Sequence, residues 1–350
     1  MGKKVVIICF ASIIIIIAIT LLIANSSGIN TENKKGYDFF GDDESEIKAE
    51  YYINEDSKNT TLIDPSFVGY ISKLTIDYKN VKPCNTFIFN KGHHYVTFTL
   101  KSLESTFNMF ALSVDLIEIN LENFDSSNVK DMGWMFYGCS SLQTVIIKKL
   151  NTKNVIKMDF MFAFCSSLDY IDLSNLNLEK VEDMDYMFSN CFSLKRIDFN
   201  NIKINNLKTM KSMFAYCKNL YSLDFILANI NTENVVDMSY MLYHCNNLHS
   251  IDLYPFNTKN VEKMDFMFYD CSSLKSIDLH NFITQKVKSM NKMFYECLSL
   301  NYLDISHFST SYTPDILNDF DSFGTIKLNR NFYNKIKDQI GFTWTTIFID

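Results

Sequence analysis

The sequence predicts an α/β repeat protein: a solenoid of stacked coils, each carrying one short strand on one face and helical turns on the other. Three observations lead there. Seven cysteines recur at Cys139, Cys165, Cys191, Cys217, Cys245, Cys271 and Cys297, 26 residues apart except for one step of 28. Of the 16 methionines, all but two fall in pairs three residues apart, from Met132/Met135 through Met158/Met161 to Met290/Met293. Every one of these cysteines is followed by x-x-Leu, from Leu142 to Leu300. A degenerate eighth copy precedes them, with Met109-Phe110, Ser113 in the cysteine place and Leu116 in the leucine place. A fixed period of this length is the mark of a stacked repeat.

One copy, Val181 to Phe199 (VEDMDYMFSNCFSLKRIDF), shows how a coil is built. Val181, Met184, Met187, Phe188 and Cys191 recur at three- and four-residue steps, which predicts one buried face of a short helix or helical turns. The period then changes to L-x-x-I-x-F at Leu194, Ile197 and Phe199, whose last two positions alternate as on a half-buried strand. A helical turn followed by a strand every 20–29 residues is a leucine-rich-repeat pattern. No single coil can bury its apolar side alone, so each depends on its neighbours.

Around the repeats the chain divides as follows. Residues 1–4 are read as a cytoplasmic tail, and Val5 to Ala24 as an uncleaved transmembrane signal anchor. That run of 20 uncharged residues spans roughly 30 Å as a helix. Leu22 at the −3 position argues against cleavage after Ala24. Lys3 and Lys4 place the short end inside, leaving the repeats outside a single-pass cell-membrane protein. Residues 25–47 read as a polar stalk and 48–106 as a β-rich N-terminal cap, in which Thr86 to Leu100 carries a hairpin signal around Asn90-Lys91-Gly92-His93. The solenoid covers 107–311. The C-terminal cap, 312–350, contains a helix over Asn331 to Ile340, a stop at Gly341 and a final strand with Trp344.

Composition narrows the function. With 33 Lys and Arg against 40 Asp and Glu, the net charge of −7 leaves no basic stripe for phosphates, so nucleic acid is not expected as a partner. Only 10 glycines and 4 prolines are present, which excludes collagen-like, Gly-loop and Pro-rich architectures. Two triplets, Asn25-Ser26-Ser27 and Asn59-Thr60-Thr61, match the N-glycosylation pattern and fit an outward location. None of the six histidines lies at zinc-ligand spacing, and no nucleophile, phosphate-loop or paired-carboxylate motif occurs. An enzyme is not expected.

Runs such as Met238 to Val261 (MSYMLYHCNNLHSIDLYPFNTKNV) and Met264 to Val287 (MDFMFYDCSSLKSIDLHNFITQKV) resemble BspA-like leucine-rich-repeat surface proteins of the 26-residue branch. The likeness runs from residue 107 to about 311. It implies a curved right-handed solenoid on the cell surface, with strands on its concave face, helical turns on its convex face, and adhesion or partner binding as its role. It brings no catalytic residues. The chain departs from the lipoprotein members in having an apolar anchor instead of a lipobox.

Candidate positions follow from the strand pattern. The seven repeat cysteines are expected as buried thiols, because helices pack roughly 8–10 Å apart whereas a disulfide needs Cα atoms about 4.4–6.8 Å apart. Cys84, in the N-terminal cap, is the one most expected to be exposed. Between the buried strand residues of each coil, one side chain should project from the concave face: Glu118, Ile146, Asp172, Asp198, Asp224, Asp252, Asp278 and Asp304. Like charges about 4.8 Å apart repel. The column is therefore either held by local hydrogen bonds to Ser and Asn, or binds a basic partner or divalent cations. No other cofactor is expected. Flanking columns add Tyr170, Arg196 and Tyr302 on one side and Tyr254 and His280 on the other, residue types common at binding hot spots. The function expected is membrane-anchored, cell-surface recognition of an extracellular protein or glycan, with a laterally packing surface-coat component as the alternative. A third reading is a secreted binder released after Ala24.

Overall fold

The methionine-cysteine stretch of each coil is helical by spacing, yet it folds as a run of tight turns. In the copy from Met132 to Cys139, Met135, Tyr137 and Cys139 donate their amides to the carbonyls three residues back, at 3.4, 3.0 and 3.1 Å. The intervening amides of Met132, Trp134, Phe136 and Gly138 leave the coil and bond to Lys157, Asp159, Met161 and Ala163 of the next one, at 2.8–2.9 Å. Two residues per copy take a positive φ: Trp134 and Gly138 here, Phe160 and Phe164 in the next, Tyr186 and Asn190 after that. A left-handed residue in third place is what a type II turn requires, and it ends any helix at once. The expectation of helical turns on one face is corrected accordingly. The helices among the described residues all lie in the caps.

The computed structural model describes residues 45–199, 202–223, 230–317, 324–341 and 343–349. The anchor expected at 5–24 lies outside them, and no helix of the described residues is long and apolar enough to cross a membrane. The N-terminal cap contains β1 (Glu46–Ile53), β2 (Lys58–Thr61), a 3-10 helix (Pro65–Tyr70), β3 (Ile71–Ile76), β4 (Lys79–Val81), β5 (Thr86–Phe89) and β6 (Gly92–Leu100). β1 starts two residues inside the segment expected as stalk. It lies antiparallel between β6 and β7 (Leu116–Asn120), the strand of the first coil. β7 in turn pairs parallel with β8 (Thr144–Ile146), so the cap sheet runs in the order β4-β3-β6-β1-β7-β8 straight into the coils. The hairpin expected within Thr86 to Leu100 does not form. β5 pairs with β2 and β6 with β1 and β3, because the long apolar β6 is central to the larger sheet.

Later coils contribute β9 (Tyr170–Asp172), β10 (Arg196–Asp198), β11 (Ser276–Asp278) and β12 (Tyr302–Asp304), three residues each and paired parallel as β9-β10 and β11-β12. No strand is assigned to the two coils between β10 and β11 among their described residues, and the one 28-residue step falls there. The turn side is continuous across the same step. Its bridges run Ser105, Asp131, Lys157, Asp183, Thr209, Asp237, Lys263, Ser289 without a gap. Beyond β12 the parallel sheet continues through β13 (Gly324–Leu328) and β14 (Trp344–Phe348), with helix α1 (Arg330–Ile336) and a short 3-10 helix (Lys337–Gln339) between them. Asn329 caps α1 by accepting the Phe332 amide. The C-terminal cap thus adds two strands to the solenoid and covers its last apolar face with Phe332, Ile336 and Trp344.

Inside, the Met, Cys and Leu columns each repeat one residue type, and the Phe column is interrupted only by Leu242 in the coils from Cys139 to Cys297. Met132, Met135, Phe136, Cys139 and Leu142 and their equivalents are buried in every coil, down to Met290, Met293, Phe294, Cys297 and Leu300. Successive phenylalanines stack face to face, with centroids 5.4 Å apart for Phe136–Phe162, 5.6 Å for Phe162–Phe188 and 5.6 Å for Phe268–Phe294. Each cysteine Sγ donates to the phenylalanine (or Leu242) carbonyl of the coil before, at 3.0–3.2 Å. That carbonyl already accepts a turn amide of its own coil, so the thiol links the two coils. A third ladder was not foreseen in the sequence. Thr152, Thr232, Thr258 and Thr284, all buried, each donate a hydroxyl to a carbonyl of the next coil and accept an amide from the same coil, at 2.7–3.1 Å.

A buried methionine in such a column cannot be made polar locally. Met187→Asp is expected to remove protease resistance from its own coil and both neighbours, whereas Met187→Leu, near in volume, should cost less than about 1.5 kcal/mol in urea denaturation.

Candidate functional site

The strand face is built from the short parallel strands, whose middle residues (Ile171, Ile197, Ile277, Leu303) are buried and whose flanking residues are exposed or half-buried, except Asp304, which is buried. Parallel pairing sets Asp172 beside Asp198 and Asp278 beside Asp304. It also corrects the column at its start. Glu118 is in register with Thr144, and Asn120 occupies the place beside Ile146. β7 is two residues longer than the later strands. Asp224 lies outside the described residues. Asp252 is exposed, on a coil without a strand. Among the described residues, strand pairing sets two acidic pairs side by side, one on β9-β10 and one on β11-β12.

The aspartate side chains are engaged close to home. Asp172 accepts the Ser174 amide at 3.0 Å and its hydroxyl at 2.6 Å. Asp252, Asp278 and Asp304 accept the amides of Tyr254, His280 and Ser306, again two residues on, at 2.9–3.1 Å, and Asn120 does the same for Glu122. This is an Asx turn, and it closes the strand by satisfying the first amide of the bend that follows. The Ser174 hydroxyl and amide, with Lys148 and Arg196 nearby, hold the Asp172 carboxyl below its ordinary range. Burial works against Asp278, but the amide and ring of His280 hold it below that range too. Among the described residues no group of three or more His, Cys, Asp or Glu side chains could hold a metal ion.

Cations and rings complete the face in three places. The Arg196 guanidinium sits 4.9 Å over the Tyr170 ring and 3.7 Å from Asp198. Lys327, from β13, lies 5.2 Å over Tyr302 and 3.5 Å from Asp304. Tyr254, 70% exposed, lies 6.0 Å from the His280 ring, which contacts the Asp278 carboxylate at 2.7 Å. Each unit combines a ring and a carboxylate, with a cation in the first two and His280 in the third. Sequence spacing had put these residues, Lys327 excepted, in columns but could not show that they meet.

The seven repeat thiols are buried and unpaired, and the half-buried Cys84 is free. The distance argument made for them does not hold, because backbone-bonded coils lie about 4.8 Å apart, within reach of a disulfide. Each thiol is instead committed to a carbonyl of the coil before. Burial pushes all seven up, Cys297 to about 12, so none is a nucleophile.

The turn face carries its own charges. Asp185 accepts the Thr209 hydroxyl at 2.5 Å and the Lys211 amide at 2.7 Å, yet burial, together with Asp183 and Asp237, pushes its carboxyl up to about 6. Two predictions of opposite sign follow from these carboxyls. Asp172→Ala should cost about 0.5–1.5 kcal/mol and Asp172→Asn, which keeps the acceptor but loses the charge, less than that. The stability from Asp172 is complete above the ordinary carboxylate pKa of about 4 and is lost as pH falls through its lower folded value. Asp185 is destabilising when charged, so its penalty is relieved as pH falls through about 6. Asp185→Asn should raise neutral-pH stability by about 1–2 kcal/mol and flatten the urea midpoint between pH 7.5 and 4.5.

No curated protein matches the chain. A family model described as "Mycoplasma protein of unknown function, DUF285" matches residues 101–225 and 218–333, which together span the coils and the start of the C-terminal cap. With more than half of its length matched by two copies of that model, this solenoid of stacked coils belongs to the DUF285 family.

Proposed function

We infer that the chain is a membrane-anchored recognition protein displayed at the cell surface, which uses the strand face of its solenoid to bind a protein or glycan, with adhesion as its use. The observation that carries this reading is the contrast between core and face. The buried Met, Cys and Leu positions repeat the same residue from coil to coil, while one outward column runs Glu118, Thr144, Tyr170, Arg196, Ser222, Ser250, Ser276 and Tyr302, varied at both ends around a run of three serines and set beside the column in which aspartate recurs. Because the backbone ladders fix the strands, a side chain here is free to vary without cost to folding, as an interaction surface requires. Tyr and Arg at the centre of that face are the types that dominate binding energy. The resemblance to BspA-like surface proteins and the apolar run at 5–24 support an outward, anchored location.

Protease shaving of intact cells, with tags at both termini, tests the location: loss of the C-terminal tag with retention of the N-terminal one is expected. Soluble residues 45–350 should then block attachment of those cells to their target surface, and a Tyr170→Ala, Arg196→Ala double variant should block at least tenfold less well. Protection of both tags, or equal blocking by the variant, would remove this reading.

A further inference from the structure

The N-terminal cap contains a contact that recognition on the strand face does not use. His94, on β6, brings both ring nitrogens to oxygens: Nδ1 lies 2.8 Å from the Asp77 carboxylate and Nε2 lies 2.8 Å from the Asn90 carbonyl. Its side chain is 15% exposed, with the Phe89 ring 4.4 Å away. A carboxylate oxygen and a carbonyl oxygen only accept, so each contact is a hydrogen bond only when the nitrogen carries a hydrogen. A neutral imidazole has one N–H and the imidazolium has two. The arrangement is complete only for the charged ring.

The groups that His94 joins give the contact its consequence. Asp77 and Tyr78, with φ of 47 and 65°, form the two-residue turn between β3 and β4, the geometry of a type I′ hairpin. Asp77 is pinned to β6, since its amide donates to the Tyr95 carbonyl at 2.8 Å and its carboxylate accepts the Tyr95 amide at 3.0 Å. Asn90 directly follows β5, which belongs to the two-stranded sheet with β2. His94 therefore ties the β5–β6 turn of one sheet to the β3–β4 turn of the other.

Ionisable groups on the surrounding elements are committed elsewhere. Tyr51 of β1, in register with His94, gives its hydroxyl to the Leu62 carbonyl at 2.9 Å. Lys58 of β2 pairs with Asp115 at 2.7 Å, and Asp56 accepts the Lys91 amide at 2.9 Å. Glu55, Lys79 and Lys91 are exposed. His93 lies on the opposite face of β6, because side chains alternate along a strand. Among the described residues it makes one hydrogen bond, from Nδ1 to Glu50 at 2.7 Å. A neutral ring can make that single bond, so His93 is the natural comparison for His94.

We propose that His94 is a pH-operated latch of the N-terminal cap: charged, it holds the β5–β6 turn against the β3–β4 turn, and on losing a proton to solvent it keeps Asp77 and releases Asn90. The order of release follows from strength, since a hydrogen bond to an ionised carboxylate is roughly twice as strong as one to a neutral carbonyl. Nδ1 keeps its hydrogen for Asp77. The bare Nε2 then faces the Asn90 carbonyl, lone pair against lone pair, and the turn moves off. Histidine is the side chain that ordinarily changes charge between about pH 5 and 8, which sets the working range of the latch.

Hydrogen exchange of the full chain at about pH 5.5 and about pH 8 tests the latch, with rates corrected for the intrinsic effect of pH. Amides of residues 87–93 are expected to be about tenfold less protected at the higher pH. His94→Gln should remove this difference, and His93→Gln should leave it intact. Asp77→Asn is the deciding variant. It still accepts the Tyr95 amide, and its own side-chain amide donates to Nδ1, so a neutral ring is free to give Nε2–H to Asn90. Protection should then persist at both pH values. No difference in the unchanged chain, a difference that survives in His94→Gln or Asp77→Asn, or its loss in His93→Gln would overturn the proposal. If His94→Gln fails to fold, Asp77→Asn decides.

Discussion

The backbone ladder on the turn face is the interaction on which the rest of the structure depends. Every second amide between Met132 and Gly138 goes to the next coil, and the others close turns within their own. No donor in the stretch is left over, which matters because an orphaned buried amide costs as much as a lost hydrogen bond. The same arrangement sets the coil spacing. Close spacing makes identical phenylalanines stack, brings each thiol onto the preceding coil's carbonyl and puts each buried threonine between an amide and a carbonyl of its neighbour. The repeated residues are repeated because each must meet its own copy.

That ladder also explains which part of the coil can tolerate change. Among the described residues no strand lies in the two coils between β10 and β11, where the 28-residue step falls, but the turn-side bridges run intact from Thr209 to Asp237. A strand of three residues contributes few bonds, so its absence from the described residues of these two coils is absorbed by the turns and the methionine columns. The face made by those strands is therefore held by the core rather than holding it. Its aspartates end strands, and its tyrosines and cations form separate units on either side of the irregular coils.

The main error of reading by periodicity has a plain physical source. Positions i, i+3, i+4 and i+7 fall on one side of an α-helix, and they also fall on one side of two consecutive four-residue turns. Met132, Met135, Phe136 and Cys139 satisfy both. What separates the two is the sign of φ at Trp134 and Gly138, and only one of those is a glycine. Elsewhere the left-handed positions hold Phe160, Tyr186, Tyr216 and Glu296, which carry no turn signal of their own. The hairpin expected around Gly92 failed for a related reason: alternation marks strands but does not name their partners, and β6 found β1 and β3.

By itself the sequence determined the repeat, its length, its single longer step, the buried identity of the Met, Phe, Cys and Leu columns, and the presence of structured caps at both ends. These are legible because burial against an identical neighbour demands the same residue at the same interval. Only the tertiary structure decided that the coils are joined by backbone bonds, that Asn120 rather than Glu118 begins the outward column, that Asp172, Asp252, Asp278 and Asp304 are each tied to an amide two residues on, and that rings from separate coils gather around Tyr243. Those outcomes depend on register, on φ and on contacts between residues 24 to 28 apart, quantities that no local pattern of apolar and polar residues encodes.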